Sequence, residues 1–322
     1  MESAALSPPP LRIAISSCLL GNQVRYDAGH KHNAYITQTL GEYFEFVPFC
    51  PEVAIGLGIP RPPIRLVSID GSIRVRGVNN PQQDVTGALI ENAEAVARQL
   101  RNVSGYLFKT GSPSCGMERV KVYHAQSGHP LGSSSGMFAA TIMRALPELP
   151  VEEEGRLMDP RLRENFIERV FIYHRWHGYL AGGMTPAALV DFHTRHKFSV
   201  LAHDEPSYRE LGRLVAGAGE REIGEAAGEY IRVLMRALAK IATAKQHANV
   251  LMHIMGFFKA DIDSDDKAEL LDLIDAYRRE QVPLIVPMTL IHHHLRVHPN
   301  DYLSSQTYIN PHPGELMLRN RN

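Results

Sequence analysis

The sequence predicts an α/β domain followed by an all-α domain. Up to about residue 150, short apolar runs alternate with amphipathic helical stretches, which is typical of a mostly parallel, Rossmann-like sheet with helices on its faces. Beyond that point apolar residues recur at helical spacing. The 322 residues, 44% hydrophobic and 21% charged, suffice for two globular domains. We therefore expect a disordered tail over residues 1–10, an α/β domain over 11–150 and a helical domain over 151–322.

Each predicted element has its own pattern. In the first domain we expect strands at LRIAISSC (11–18), YFEFVPFCP (43–51), SIRVRGV (72–78) and GYLFKTG (105–111), and helices at DVTGALIENAEAVARQLRNV (84–103) and SGMFAATIMRAL (135–146). In the second domain helical spacing runs from LRENFIERVFIYHRWHGYL through DKAELLDLIDAYRREQ to VPLIVPMTLIHHHLRVH.

Composition narrows the class of protein. No apolar run approaches the ~20 residues that span a bilayer, and the first ten residues lack the features of a signal peptide. The chain has three cysteines, an odd number with no close pair, so a disulfide framework is not expected. These features predict a cytoplasmic protein without a membrane partner. The net charge of −1 predicts no strong nonspecific attraction to nucleic acid.

The three cysteines share one structural position. Cys18, Cys50 and Cys115 each follow a short apolar run and precede a break in the pattern: ISSCLLG, VPFCPE and TGSPSCG. Loops after the carboxyl ends of parallel strands meet at one edge of the sheet, where ligand crevices form. We therefore expect the three thiols to converge, although three separate buried thiols remain an alternative, because free cysteine is commonly buried.

Convergent thiols indicate a metal centre of one of two kinds. A closed zinc site needs a fourth ligand, which His30 or His32 could supply. Three thiolates alone also fit an iron–sulfur cluster in which one iron has no protein ligand. The spacing does not separate the two metals.

Polar residues near the cysteines are candidates for chemistry and substrate binding. Glu52 follows Cys50 closely enough to serve as a general base on water beside a metal. Ser112 and Ser114 could donate hydrogen bonds to a developing anion. The candidate substrate-binding residues are Arg25, Tyr26, Asp27 and Lys109.

Four stretches in the first domain resemble the thiouracil desulfidase (TudS-like) family. They are, in order, SSCLLGNQVRYDAGHK, PFCPEVAIGLGIPRPPIRLV, QQDVTGA and LFKTGSPSCG. Ala28 departs from the glycine expected after the RYD triplet. Residues 151–322 resemble the YbgA-type helical domain through FHTRHKFSVLAHDEPSYRELGRLV, NVLMHIMGFFK and PLIVPMTLIHHHL. The pairing is similar to that of desulfidases associated with removal of sulfur from 4-thiouridine in transfer RNA.

The resemblance implies a cofactor, a substrate and a reaction. The cofactor is a [4Fe-4S] cluster held by Cys18, Cys50 and Cys115 with one open iron site. The substrate is a thiolated pyrimidine, whose C=S becomes C=O without net redox change, with release of hydrosulfide. The family's catalytic glutamate falls on Glu52, and its serine on Ser112 in preference to Ser114.

A cluster of cations in the second domain is a candidate surface for tRNA. The residues are Arg195, His196, Lys197, Arg209 and Arg213. Yet residues 151–322 carry 21 Lys and Arg against 24 Asp and Glu, so the domain as a whole is not basic. The tRNA partner therefore follows mainly from the resemblance. Alternatives are free thiouracil as substrate, or a noncatalytic RNA-binding protein with structural zinc; the sequence does not specify an oligomeric state.

Overall fold

The computed structural model describes residues 11–320, which divide into two units between Met158 and Asp159. The tail predicted over residues 1–10 lies outside the described residues. No helix within residues 11–320 is long and apolar enough to cross a membrane.

A parallel four-stranded sheet forms the centre of the first unit. Its order is β2-β1-β5-β8, and every neighbouring pair is parallel. The strands are β1 (Arg12–Ser16), β2 (Glu45–Phe49), β5 (Gly105–Phe108) and β8 (Val151–Glu153). Strands β1 and β5 are almost entirely buried, which explains their continuous apolar sequence. The predicted mostly parallel sheet is confirmed.

A second sheet lies in the same unit and was not predicted. Its order is β4-β3-β6-β7, with a parallel central pair and an antiparallel strand on each side. The strands are β3 (Ile64–Ile69), β4 (Ser72–Gly77), β6 (Val120–His124) and β7 (Pro130–Ser134). Of these, only β4 corresponds to a predicted strand.

The described part of the first unit, residues 11–158, also contains the α-helices α1 (Pro51–Ala54), α2 (Thr86–Gln99) and α3 (Met137–Ala145). Short 3-10 or π turns connect several elements, including the turn Ser17–Leu20 that follows β1. The unit continues past residue 150, where the sequence predicts the change of class, because β8 pairs with β5.

The second unit is helical, as predicted. Its helices are α4 (Pro160–Ala181), α5 (Pro186–His203), α6 (Glu205–Ala216), α7 (Ile223–Leu238), α8 (Ala244–Met255), α9 (Ser264–Arg278), α10 (Ile285–Val297) and α11 (Asp301–Ser304). Two apolar clusters stabilise it. One packs α5 against α8, α9 and α10, and the other packs α5 against α4, α6 and α7. Helix α5 therefore contributes to both clusters, and half of its residues are buried.

Candidate active site

The three cysteines line one cavity at the carboxyl edge of the parallel sheet. Cys18 lies in the turn after β1, Cys50 follows β2 directly, and Cys115 lies in the loop after β5. All three line a cavity of about 480 Å³. These strands are neighbours in the order β2-β1-β5, so their carboxyl ends bring the loops together.

The thiols are held in a poorly hydrated setting. Cys18 and Cys115 are buried and Cys50 is half-buried. Burial raises the pKa of the Cys18 thiol to about 11, and it also raises the pKa of the Cys50 thiol. At Cys115, burial and the charge of Glu52 raise the thiol pKa well above its usual value. Without a positive partner the thiols are therefore neutral near pH 7, and a bound metal would displace their protons.

Glu52 is fixed by donors on both carboxylate oxygens. Its Oε2 accepts from Arg61 Nε at 2.9 Å and Nη2 at 2.8 Å, and its Oε1 accepts from the Ser114 hydroxyl at 2.9 Å. Arg61 also donates through Nη1 to the carbonyls of Val24 (3.0 Å) and Gly58 (2.9 Å). Because the Arg61 side chain is 3% exposed and that of Glu52 is 13% exposed, the ion pair has little access to solvent. The carboxylate therefore has a fixed orientation beside the cavity that it lines.

The two candidate serines have different positions. The Ser112 hydroxyl oxygen accepts from the backbone N–H groups of Ser114 (3.2 Å) and Cys115 (3.0 Å), and Ser112 lines the cavity. Its hydroxyl proton remains available for a third partner. Ser114 is fully buried, is not among the residues that line the cavity, and uses its hydroxyl on Glu52.

Close backbone packing fixes the turn that carries Cys115. The N–H of Gly116 donates to the Ser112 carbonyl at 2.8 Å. A Cβ at position 116 would lie 2.3 Å from Val120 Cγ2 and 2.8 Å from the Ser112 oxygen. Glycine is therefore required at position 116 by space.

Two of the three residues of the RYD triplet line the cavity. Arg25 and Tyr26 do so, and the Arg25 guanidinium lies 5.3 Å from the centre of the Tyr26 ring. Asp27 is not among the lining residues; its Oδ1 accepts from Arg25 Nε at 3.3 Å and from the Gly29 N–H at 3.1 Å. Ala28, the departure from the family pattern, has φ 56°, a left-handed conformation that favours glycine.

Lys109 lines the cavity and is held by an acidic segment. Its Nζ lies 2.5 Å from Glu154 Oε1, and Glu154 Oε2 accepts from the Thr110 N–H at 2.8 Å. Glu153 Oε1 accepts from the Met117 N–H at 2.6 Å. Consecutive glutamates, one at the end of β8 and one directly after it, therefore hold the chain on both sides of Cys115.

Three thiols on one cavity fit an iron–sulfur cluster, because a cubane takes each thiolate on a different iron. His30 and His32 do not line the cavity; His32 Nε2 lies 2.9 Å from Thr37 Oγ1. The buried Tyr106 hydroxyl has no partner among the described residues, and charges on all three thiols, after burial, raise its pKa. A buried donor without a partner, near enough to the three thiols for their charges to act on its pKa, suits the acceptor sulfurs of a cluster.

Three residues of the site were missed in the sequence. Arg61 lies in a loop without apolar periodicity. The sequence marks it only through IPRPP, which is part of a stretch that resembles the TudS-like family. The hydroxyl of Ser16 accepts from the Lys109 N–H at 3.0 Å and hydrogen-bonds Cys115. Glu154 lies beyond the predicted domain boundary.

The predicted cationic cluster of the second unit is only partly on the surface. His196 is 1% exposed, its Nδ1 lies 2.7 Å from the Phe192 carbonyl, and burial lowers its pKa to about 3. The prediction that His196 contacts tRNA is therefore wrong, because His196 lies on the buried side of α5. Arg195 pairs with Asp191 at 2.8 Å and Arg209 with Glu205 at 2.5 Å.

Fold and site together define an α/β protein with a thiol-lined ligand cavity at the carboxyl edge of a parallel sheet, joined to a helical unit. Comparison with known protein families also divides the chain into these two parts. Residues 13–154 match the family described as 2-thiouracil desulfurase, and residues 197–313 match one described as protein of unknown function (DUF1722). The chain belongs to the 2-thiouracil desulfurase family through its first unit and to the DUF1722 family through its second.

Individual relatives cover one half of the chain each. "Uncharacterized protein YbgA" of Escherichia coli (strain K12) is 36% identical over 160 residues, which are 49% of this chain and 95% of YbgA. "Uncharacterized protein YbbK" of Bacillus subtilis (strain 168) is 31% identical over 140 residues, 41% of this chain and 90% of YbbK. The solved structure of the [4Fe-4S]-dependent thiouracil desulfidase TudS has 30% identity, covers 46% of this chain and 94% of its own, and gives a TM-score of 0.36.

Proposed function

We propose that the protein is a [4Fe-4S]-dependent desulfidase that replaces sulfur by oxygen in thiolated uracil, with 4-thiouridine of tRNA as the substrate. The observation that carries the proposal is the convergence of three thiols on a cavity that also contains Glu52. Membership of the 2-thiouracil desulfurase family supports the substrate class, and the 30% sequence identity to TudS, a [4Fe-4S]-dependent thiouracil desulfidase, supports the cofactor. The three free cysteines agree with a cytoplasmic location.

Cys18, Cys50 and Cys115 would hold the cluster, which would supply a soft Lewis acid for the thiocarbonyl sulfur. The other steps belong to the chain's own groups. The Glu52 carboxylate accepts a proton from the attacking water. The free hydroxyl proton of Ser112 donates to the anion that develops as water adds to carbon. As the C–S bond breaks, the added oxygen becomes the carbonyl oxygen and its remaining proton leaves with the sulfur as hydrosulfide, while Glu52 releases the first proton to solvent.

Other residues would orient the catalytic groups and the substrate. Ser114 and Arg61 keep the Glu52 carboxylate in one orientation. Tyr26, a residue that is 43% exposed and lines the cavity, offers a ring face on which a pyrimidine can stack. Asp27 positions Arg25, and Lys109, held by Glu154, adds positive charge near Cys18, where it lowers the thiol pKa against the effect of burial.

The decisive experiment uses anaerobically reconstituted protein with two substrates, free 2-thiouracil and tRNA that contains 4-thiouridine. We expect broad absorption near ~400 nm from the cluster and hydrosulfide release from the tRNA. Cys→Ala at position 18, 50 or 115 should abolish both the absorption and the activity. Glu52→Gln should keep the absorption but lose at least about 100-fold in rate, the usual contribution of a general base.

The matched control is Glu42→Gln, which changes an exposed acid of the same unit and should leave the rate unchanged. Desulfuration by a cysteine variant that has no cluster absorption would refute the proposal. A colourless protein that binds zinc would favour the noncatalytic alternative. Turnover of 2-thiouracil without turnover of tRNA would refute the tRNA substrate alone.

For the tRNA contact we propose one surface of the second unit, which surrounds a cavity of about 890 Å³. Phe257 is 42% exposed and stacks on Tyr302 with ring centres 5.1 Å apart, and Lys197 Nζ lies 4.9 Å from the Tyr302 ring centre. Arg209 lines the same cavity. Exposed aromatic rings beside cations are the usual means of binding unpaired bases and phosphates.

The test of this surface separates binding from chemistry. Phe257→Ala with Lys197→Ala should weaken tRNA binding by about tenfold or more, from the loss of one stacked base and one phosphate contact, and leave turnover of free 2-thiouracil unchanged. Arg232→Ala, an exposed cation of α7, is the matched control. Unchanged tRNA affinity in the double variant would exclude this surface.

A further inference from the structure

The second sheet of the first unit has two chemically different faces. Side chains alternate between the two faces along each strand. One face carries Leu66, Val75 and Val122, which are buried and pack in one apolar cluster with Leu89 of α2. The outward positions of β3, β4 and β6 instead carry cations, namely Arg65, Arg74, Arg76 and Lys121. The sequences of these three strands, IRLVSI, SIRVRG and VKVYH, contain no acid.

A groove at the start of β3 and β6 adjoins the cysteine cavity. The groove has a volume of about 510 Å³, and Ile64, Gly111 and Pro113 line both it and the cysteine cavity. Its charged and aromatic lining residues are Arg65, Arg119, Lys121 and Tyr123. No acid among residues 11–320 lines the groove. Positive charge therefore lies directly beside the proposed site of desulfuration.

The cations of the outward face are only partly neutralised. Arg65 lies directly opposite Arg76 in the antiparallel pair of β3 and β4, and like charges in such positions destabilise a sheet. Arg76 has an acidic partner, Asp84, at 3.5 Å. Arg65 and Lys121 take part in none of the ion pairs formed among residues 11–320, and Arg65 Nε has no hydrogen-bond partner there. The face therefore keeps uncompensated positive charge, which favours an anionic ligand.

Arg119 and Tyr123 complete this surface. The Arg119 side chain is 83% exposed and lies 3.4 Å from Glu118, whose carboxylate is closer to Arg156, at 2.8 Å. The Arg65 guanidinium lies 5.3 Å from the centre of the Tyr123 ring, so a cation and an aromatic ring form one surface. Cations beside groups on which a base can stack are the usual means of holding unpaired nucleotides.

We propose that the outward face of β3, β4 and β6 binds a single RNA strand next to the nucleotide that enters the cysteine cavity. The inference rests on the proposed function, which makes RNA the polyanion that reaches both the groove and the adjoining cavity. Phosphates of the strand contact Arg65, Arg119 and Lys121, and a base lies against the pair of Arg65 and Tyr123. The strand is unpaired, since a base must leave its stack to enter a cavity.

The test measures binding of a ten-nucleotide oligouridine to the full-length protein by fluorescence anisotropy at several salt concentrations. This probe contains no sulfur, so its binding depends neither on the cofactor nor on desulfuration. Lys121→Ala with Arg119→Ala should weaken binding. The same change should reduce the slope of log affinity against log salt concentration by about 1.4, because each phosphate contact with a single strand contributes about 0.7.

The matched control is Arg98→Ala with Arg101→Ala, which removes two exposed cations of the same unit, one in α2 and one in the turn that follows it. This change should leave both the affinity and the slope as they are. All measurements use the Phe257→Ala, Lys197→Ala background, so that the surface proposed in the second unit does not contribute.

A second pair of variants tests the stacking. Tyr123→Leu should weaken binding by about fivefold or more, from the loss of one stacked base. Tyr123→Phe keeps the ring and should bind as the parent protein does. Because Arg119 and Lys121 are exposed, their double variant decides the test even if Tyr123→Leu does not fold.

The proposal is overturned if the Lys121 and Arg119 variant keeps its affinity and salt slope, if the control loses as much, or if an RNA duplex of the same length binds as tightly. Turnover of 2-thiouracil by a protein that does not bind oligouridine would overturn this surface alone. Oligouridine binding that requires Lys121 and Arg119, in a protein without desulfidase activity, would support the surface and refute the proposed function.

Discussion

Replacement of Arg61 should destabilise the first unit more than its loop position suggests. Arg61→Met removes two hydrogen bonds to Glu52 and one each to the carbonyls of Val24 and Gly58. Removal of one partner from a buried ion pair costs about 3–5 kcal/mol of folding free energy. Because the Glu52 side chain is 13% exposed, water can solvate part of the uncompensated carboxylate. We therefore expect a loss of about 3 kcal/mol, at the lower end of that range.

The assay can assign the loss to one unit. The only tryptophan of the chain, Trp176, is buried in the helical unit. Urea unfolding followed by tryptophan fluorescence reports that unit, and far-UV circular dichroism reports both. Unfolding of the first unit is seen by circular dichroism but not by tryptophan fluorescence, and Arg61→Met should lower the urea midpoint of that transition. The urea midpoint measured by tryptophan fluorescence should not change.

A double-mutant cycle tests the cause. Glu52→Gln with Arg61→Met should be more stable than the sum of the two single changes predicts, by about 1–3 kcal/mol, because the double variant leaves no unpaired charge. Arg61→Lys should fall between wild type and Arg61→Met, since lysine keeps the charge but not the two-pronged geometry. Additive single changes, or an Arg61→Met loss below about 0.5 kcal/mol, would refute the reasoning.

Other predictions concern packing and pH. Gly116→Ala should destabilise the first unit by about 1–3 kcal/mol through overpacking against Val120 and reduce loading of the proposed cluster, both measurable on purified protein. Gly87→Ala, in α2 with open space around its Cβ position, should instead add up to about 1 kcal/mol; equal effects of the two changes would contradict this account. Burial lowers the pKa values of His196 and His247 to about 3. Their stabilising contribution is thus present above the unfolded pKa and lost as pH falls from about 6.5 towards 4, by about 1.4 kcal/mol per pH unit for each. Urea unfolding followed by tryptophan fluorescence should show this slope, and His196→Gln should reduce it; a flat profile would show that the histidines are solvated.

The sequence predicts the parallel sheet and the meeting of the cysteines for the same reason. Buried parallel strands have continuous apolar runs, and their carboxyl ends share one edge, so the positions of Cys18, Cys50 and Cys115 follow from strand signals alone. The second sheet has no such signal. Strand β7 reads PLGSS and is largely exposed, and β3 follows a proline-rich stretch that obscures its start.

Residues whose role depends on the path of a loop could not be predicted. Arg61 meets Glu52 because the loop between them turns back, which neither periodicity nor spacing encodes. The surface position predicted for His196 is wrong for a different reason. Its sequence neighbours Arg195 and Lys197 are charged, so it resembles a surface residue, yet it points into the enclosed side of α5.

The glutamates at the end of β8 determine where the chain can be divided. A fragment that stops at residue 150 would contain all three cysteines, Glu52 and Arg61, and would look complete as a desulfidase. It would lack the carboxylates that bind the Lys109 side chain and the backbone amides of Thr110 and Met117. A fragment for separate expression of the first unit should therefore extend through Met158. If a fragment that ends at residue 150 does not retain the proposed cluster, the cause would be the loss of β8 and Glu154, and the result would not show that the helical unit is required.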